Sequence, residues 1–107
     1  MRFKNSKVLI TGGASGIGKI MGRMALEKGA ECLVIWDINP RNIALTVSEL
    51  GKYGNVKGYL VDVSRNDLII ESCNKVKVEC GDIDILINCA GIVTSNKTFD
   101  QMSNDEI

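Results

Sequence analysis

The sequence predicts an α/β fold, the leading half of a doubly wound parallel sheet. Two observations predict it. Short apolar, β-branched runs alternate with segments of helical period, and a glycine-rich turn joins the first run to the first helix. Strands alternating with helices require right-handed crossovers, which make the sheet parallel and put helices on both faces. The expected strand order is 3-2-1-4.

Each element has its own signal. Val8-Leu9-Ile10 is a short apolar run ended by Thr11-Gly12-Gly13, as a buried strand should be. A helix is expected from about Gly16 to Lys28, with Ile17, Met21, Met24 and Ala25 on one face and Gly29 at its end. Cys32-Leu33-Val34-Ile35-Trp36 is apolar on both faces, which suits a central parallel strand. Asn39-Pro40 supplies an N-cap followed by proline at the first helical position. Ile43, Val47 and Leu50 then mark one face, and Gly51 closes that helix. Val56 to Val61 is the third strand. Ser64 and Asp67 resemble a capping box, which opens a third helix with Ile69, Cys73, Val76 and Cys80 on one face. Gly81 ends it, and Ile83 to Ile87 is the fourth strand.

Composition narrows the function. Of 107 residues, 45% are hydrophobic and 24% charged, as in an ordinary globular protein. Thirteen basic residues balance 13 acidic ones, so no positive excess exists to hold nucleic acid. The absence of histidine removes the commonest metal ligand and the commonest general base, so no metal is expected. Cys32, Cys73, Cys80 and Cys89 include no C-x-x-C pair. Residues 1–7 are too short and polar for a signal core, and no apolar run is long enough to span a membrane. The expectation is a cytoplasmic chain with free thiols.

The turn Thr11-Gly12-Gly13-Ala14-Ser15-Gly16-Ile17-Gly18 carries the chemistry. Glycines permit a tight turn, close approach of main chain to an anion, and close helix–strand packing. The helix N-terminus adds free N–H groups and partial positive charge, a seat for a pyrophosphate. The spacing is G-x-x-x-G-x-G, placed after a strand and opening a helix, the context that such a motif requires. Asp37 follows 25 residues after Gly12, at the end of the second strand, where a carboxylate accepts from ribose hydroxyls. Its charge opposes a 2′-phosphate, and Ser15 supplies no cation beside the turn, so NAD is expected over NADP. Arg41 lies near enough in sequence to leave a phosphate partner available.

With Asp62-Val63 and Asn88-Cys89-Ala90-Gly91, these pieces resemble the N-terminal part of the short-chain dehydrogenase/reductase family, in its order and spacing and over nearly the whole chain. The resemblance implies a partial Rossmann domain over residues 1–107 and further cofactor contacts. Asp62 would accept from the adenine amino group and the Val63 N–H would bond the ring. Ile38 would be a further cofactor contact, Asn88 would steady the central strand, and Ala90 and Gly91 would line the cofactor. Cys89 stands where many members have a second asparagine and reads as a small buried thiol, since no histidine is present to activate it. The stretch Trp36-Asp37-Ile38-Asn39 is similar to branches acting on retinoids, steroids and other hydrophobic alcohols.

Family catalysis uses a serine and a Tyr-x-x-x-Lys pair, and no residue of this chain matches them. Tyr53-Gly54-Asn55-Val56-Lys57 spells the motif, but the pair works only on a helix, and here Gly51, Gly54 and Asn55 mark a turn. Ser103-Asn104-Asp105-Glu106 reads as the opening of a helix one residue before the last, so the chain reads as truncated. The expected function is the NAD-binding part of an oxidoreductase interconverting an alcohol and a ketone or aldehyde, inactive as 107 residues alone and homo-oligomeric at full length. The alternative is a non-catalytic nucleotide-binding or regulatory module. Against it, the fourth strand would be an unpaired edge, and Ile85 and Ile87 would lack covering helices. A flavodoxin-like domain would carry acidic clusters or a different phosphate loop.

Overall fold

The computed structural model describes residues 2–89. Ala90, Gly91 and the Ser103–Glu106 box lie outside them. The elements run β1 (Lys7–Thr11), α1 (Gly16–Glu27), β2 (Cys32–Asp37), α2 (Pro40–Leu50), β3 (Val56–Leu60), α3 (Asn66–Cys80) and β4 (Ile85–Asn88). All pairings are parallel and the order is β3-β2-β1-β4, as the alternating pattern predicts. Register places Ile10 between Ile35 and Ile87, at the centre of the sheet.

Strand side chains alternate between two cores. Val8, Ile10, Leu33, Ile35 and Ile87 face α1 and α2, together with Ala25, Leu26, Ile43 and Leu50. Leu9, Cys32, Val34, Trp36 and Val61 face α3 through Val76. β1 and β2 are buried along nearly their full length, which is why their sequence shows no polar alternation. On β4 the uncovered apolar residue is Leu86, 65% exposed, whereas Ile87 is buried and Ile85 half-buried, contrary to expectation. The odd-numbered residues of β4 face the two-helix core, and Leu86 faces the side that α3 alone covers.

The helices differ from their sequence pattern in instructive ways. The buried face of α1 is Gly18, Gly22, Ala25 and Leu26, with Met21 half-buried; Ile17 and Met24 are exposed. A Cβ at Gly22 would lie 2.9 Å from Leu33 Cδ2, so the helix approaches β2 through its smallest residues and leaves larger ones on its flanks. Its C-terminus is satisfied at two carbonyls: Gly29 N–H donates to Leu26 O and Ala30 N–H to Ala25 O, both at 3.0 Å. The Asn39 side chain caps α2 by accepting from Asn42 N–H at 3.0 Å, and Pro40 follows it. Gly51 follows α2 in right-handed conformation, so it ends the helix without the left-handed turn usual for glycine there.

The capping box at Ser64 does not form. The Ser64 hydroxyl donates to Asp62 Oδ1 at 2.6 Å, and α3 starts later, with Arg65 at its N-cap. The buried positions of α3 are Ser72 and Val76 with Ile69 and Cys80 half-buried, and Cys73 is exposed. Stepping from Ile69 to Ser72 rather than to Cys73 keeps the stripe on the sheet. Among the described residues no helix is long and apolar enough to cross a membrane.

Candidate functional site

β1 ends at Thr11 against the carboxyl ends of β2 and β4, and the chain turns there into α1. Gly12 N–H donates to Trp36 O at 2.7 Å, carrying the β1–β2 ladder one step past the strand. Gly12 and Gly16 have φ of +70° and +54°, where a side chain is strained, so the turn needs glycine at both. A Cβ at Gly16 would meet nothing within 4 Å: the main chain there lies bare to solvent. Gly18 is the reverse case. A Cβ on it would sit 2.1 Å from Gly12 O, so α1 can start against the turn only without one.

The start of α1 is open to an anion. Its N-cap residue, Ser15, makes no side-chain cap bond, and no acidic residue occupies the first turn. The leading N–H groups of the helix therefore carry no side-chain cap. Ile17, 59% exposed, stands beside them.

Ala14 is held from two sides. Its N–H donates to Asp37 Oδ2 at 3.0 Å, and its carbonyl accepts from Thr46 Oγ1 at 3.1 Å. Thr46 lies on α2, only 1% exposed. Asp37 Oδ1 accepts from Ile38 N–H at 2.7 Å and Asn39 N–H at 3.3 Å. The same carboxylate thus locks the turn to the end of β2 and faces outward beside Ile38, which is 67% exposed. Neither the Thr46 nor the Asp37 contact has a signal in local sequence, because each joins residues more than twenty positions apart. A threonine between Ile43 and Leu50 on an apolar face was the one available hint.

At the end of β3, Asp62 and Val63 are exposed. The Ser64 hydroxyl and N–H both bond Asp62 Oδ1, which holds this carboxyl below its usual range. At the end of β4, Asn88 Oδ1 accepts from Thr11 Oγ1 at 2.6 Å, and Cys89 N–H donates to Thr11 O at 3.0 Å. Asn88 therefore ties β4 to β1. Cys89 is half-buried, its Sγ 4.0 Å from Met21 Sδ, and burial pushes its thiol up, away from nucleophilic use. Gly12, Ser15, Gly16, Ile17, Gly18, Asp37, Ile38, Asp62, Val63 and Asn88 all lie at the carboxyl ends of the strands or in the first turn of α1.

Tyr53 does not belong to this group. It precedes β3, at the opposite end of the sheet, and Lys57 lies within that strand. Its ring lies beside the Arg23 guanidinium (4.7 Å) and the Lys52 ammonium (5.5 Å) in a groove of about 420 Å³ between α1 and α2. No residue of the glycine turn lines that groove. Among the described residues there is no group of three or more potential metal ligands.

Residues 6–107 match the family model for short chain dehydrogenase. The chain is 42% identical over 87 residues to 17-beta-hydroxysteroid dehydrogenase 13 of Homo sapiens, covering 80% of this chain and 29% of that protein. It is 39% identical over 95 residues to epidermal retinol dehydrogenase 2 of Homo sapiens, covering 87% and 30%. It thus spans about three-tenths of the length of these relatives. The crystal structure of a short chain dehydrogenase from Mycobacterium smegmatis superposes with a TM-score of 0.79 at 27% identity, over 96% of this chain and 45% of that one.

Proposed function

This chain belongs to the short-chain dehydrogenase/reductase family, and from that premise we propose that it is the NAD-binding part of an oxidoreductase interconverting an alcohol and a ketone or aldehyde. Family membership makes it part of an oxidoreductase that takes a nicotinamide dinucleotide and a small-molecule substrate. The observation that carries the finer reading is the uncapped α1 N-terminus behind the bare main chain of Gly16, with Asp37 on the adjoining strand end.

The residues present fit the dinucleotide. The turn Gly12–Gly18 and the first N–H groups of α1 would hold the pyrophosphate. Asp37 and Ile38 would hold the adenosine ribose, Asp62 and Val63 the adenine, and Asn88 the region beside β4; the family resemblance adds Ala90 and Gly91 to the cofactor contacts. The bound nicotinamide supplies hydride transfer. The protein's part here is to bind and orient: Ala14 is fixed by Asp37 and Thr46, so the turn is shaped before the anion arrives. Asp62 keeps Oδ2 free of donors among the described residues, available to an amino group.

Among the described residues no proton-transfer pair accompanies this site, since the Tyr53–Lys57 spacing falls on a turn and a strand. We therefore assign residues 1–107 to part of one dinucleotide-binding domain, inactive by itself. The names of the relatives favour a hydrophobic alcohol as substrate. The unpaired thiols favour the cytoplasm.

Titration with NADH and NADPH, followed by nicotinamide fluorescence, tests the reading on the full chain carrying this segment. Tighter binding of NADH by about tenfold or more is expected, because the Asp37 carboxylate opposes a 2′-phosphate; tenfold is about 1.4 kcal/mol. Equal affinities or the reverse order would refute the assignment to NAD.

A further inference from the structure

Far from the glycine turn, two thiols meet across the α3 face of the sheet. Cys32 is the first residue of β2 and Cys80 the last of α3. Their sulfurs are 3.7 Å apart, with the Cys32 thiol directed at Cys80. Cys32 is 3% exposed, inside the cluster of Leu9, Val34, Trp36 and Val76. Cys80 is half-buried, reachable from solvent. Beside Cys80, the Tyr59 hydroxyl donates to the carboxylate of the adjoining Glu79.

We propose that Cys32 and Cys80 are a redox-convertible pair, closed into a disulfide by exchange with a low-molecular-weight disulfide. Two thiols alone do not make a metal site, which needs three or four ligands, and among the described residues no group of three or more potential ligands converges. They are also without a histidine base, because the sequence holds none. What the geometry does favour is bond formation. The sulfurs must close from 3.7 Å to about 2.05 Å. Cys80 sits on the last turn of its helix, followed by Gly81, where backbone yields most readily.

Access sets the order of events. Cys80 attacks first: its sulfur bonds to one sulfur of the small disulfide, the old sulfur–sulfur bond breaks, and one half leaves as a thiol carrying the proton that Cys80 lost. Cys32 then attacks the Cys80 sulfur of this mixed disulfide. The Cys32–Cys80 bond forms, the mixed bond breaks, and the second half leaves as a thiol with the Cys32 proton. Two protein thiols are oxidised and one disulfide is reduced to two thiols. Burial, and then the Cys80 contact, push the Cys32 thiol up to about 12, so it does not initiate; its place 3.7 Å from the Cys80 sulfur makes it the resolving thiol. The link would join residues 48 positions apart and pin α3 to β2, leaving the site at the opposite end of the sheet untouched.

Incubation of the reduced full chain with oxidised glutathione, followed by peptide mapping without reductant, is the test. The expected product is a peptide joining Cys32 to Cys80, lighter by two hydrogens and reversed by dithiothreitol. Exposed Cys73 takes up glutathione in the same sample and shows that the reagent acted. The linked form is expected to unfold roughly 10 °C higher. In Cys80→Ser, Cys32 stays unmodified. Glutathione retained on Cys80, both thiols still free while Cys73 is modified, or Cys32 modified in the Cys80→Ser chain would each overturn the proposal.

Discussion

Gly18→Ala is expected to cost about 3 kcal/mol of stability and about 100-fold in dinucleotide affinity. The reason is a single contact. The added methyl would lie 2.1 Å from the Gly12 carbonyl oxygen, with the Gly13 Cα a further 3.0 Å neighbour. Both obstacles are main chain, so neither moves as a flexible side chain would. Relief requires α1 to withdraw from the turn. That withdrawal breaks the packing of Gly22 against Leu33, buried one turn further on. It also shifts the N–H groups that would meet the pyrophosphate. Urea unfolding and NADH titration of the full chain measure the two effects. Gly16→Ala is the informative comparison: its Cβ meets nothing, and the cost there is the strain of φ +54° alone, about 1–2 kcal/mol. Equal stability of Gly18→Ala and the unaltered chain would contradict the close approach.

Asp37→Ala is expected to lower NADH affinity between tenfold and a hundredfold and stability by about 1–3 kcal/mol. Three N–H groups lose their acceptor at once: those of Ala14, Ile38 and Asn39. Ala14 is 4% exposed, so its N–H has little water to turn to. Ala14 itself would remain tied only through Thr46. Because the charge that opposes a 2′-phosphate is gone, NADPH affinity should fall less than that of NADH. Circular dichroism melts and parallel titrations separate the structural loss from the loss of the sugar contact. An unchanged ratio of the two affinities would show that Asp37 does not face the ribose.

The sheet was legible because its signal is local. Val8-Leu9-Ile10 and Cys32-Leu33-Val34-Ile35-Trp36 are buried on both faces and carry no competing polar period. The glycine turn was legible for the same reason: its glycines, the strand before it and the helix after it are contiguous. The misreadings came from competition that sequence period does not encode. Apolar spacing favoured Ile17 and Met24 for the buried face of α1, yet glycines made the close contact and won. Ser64 had the residue type and spacing of a cap, but the Asp62 carboxylate took its hydroxyl first. The Ala14 clamp and the Cys32–Cys80 contact exist only after β2, α2 and α3 are in place, since each pairs residues distant in the chain.

The central claim is that bare main-chain N–H groups at the start of α1 receive a diphosphate. Backbone amide resonances of the full chain, followed by NMR as NADH is added, test it most directly. The account predicts that the largest shifts fall on Gly16, Ile17 and Gly18, with Asp37 and Ile38 moving at the same NADH concentrations. Saturable shifts confined to Arg23, Lys52 and Tyr53, in the groove between α1 and α2, with the glycine turn unmoved, would contradict it.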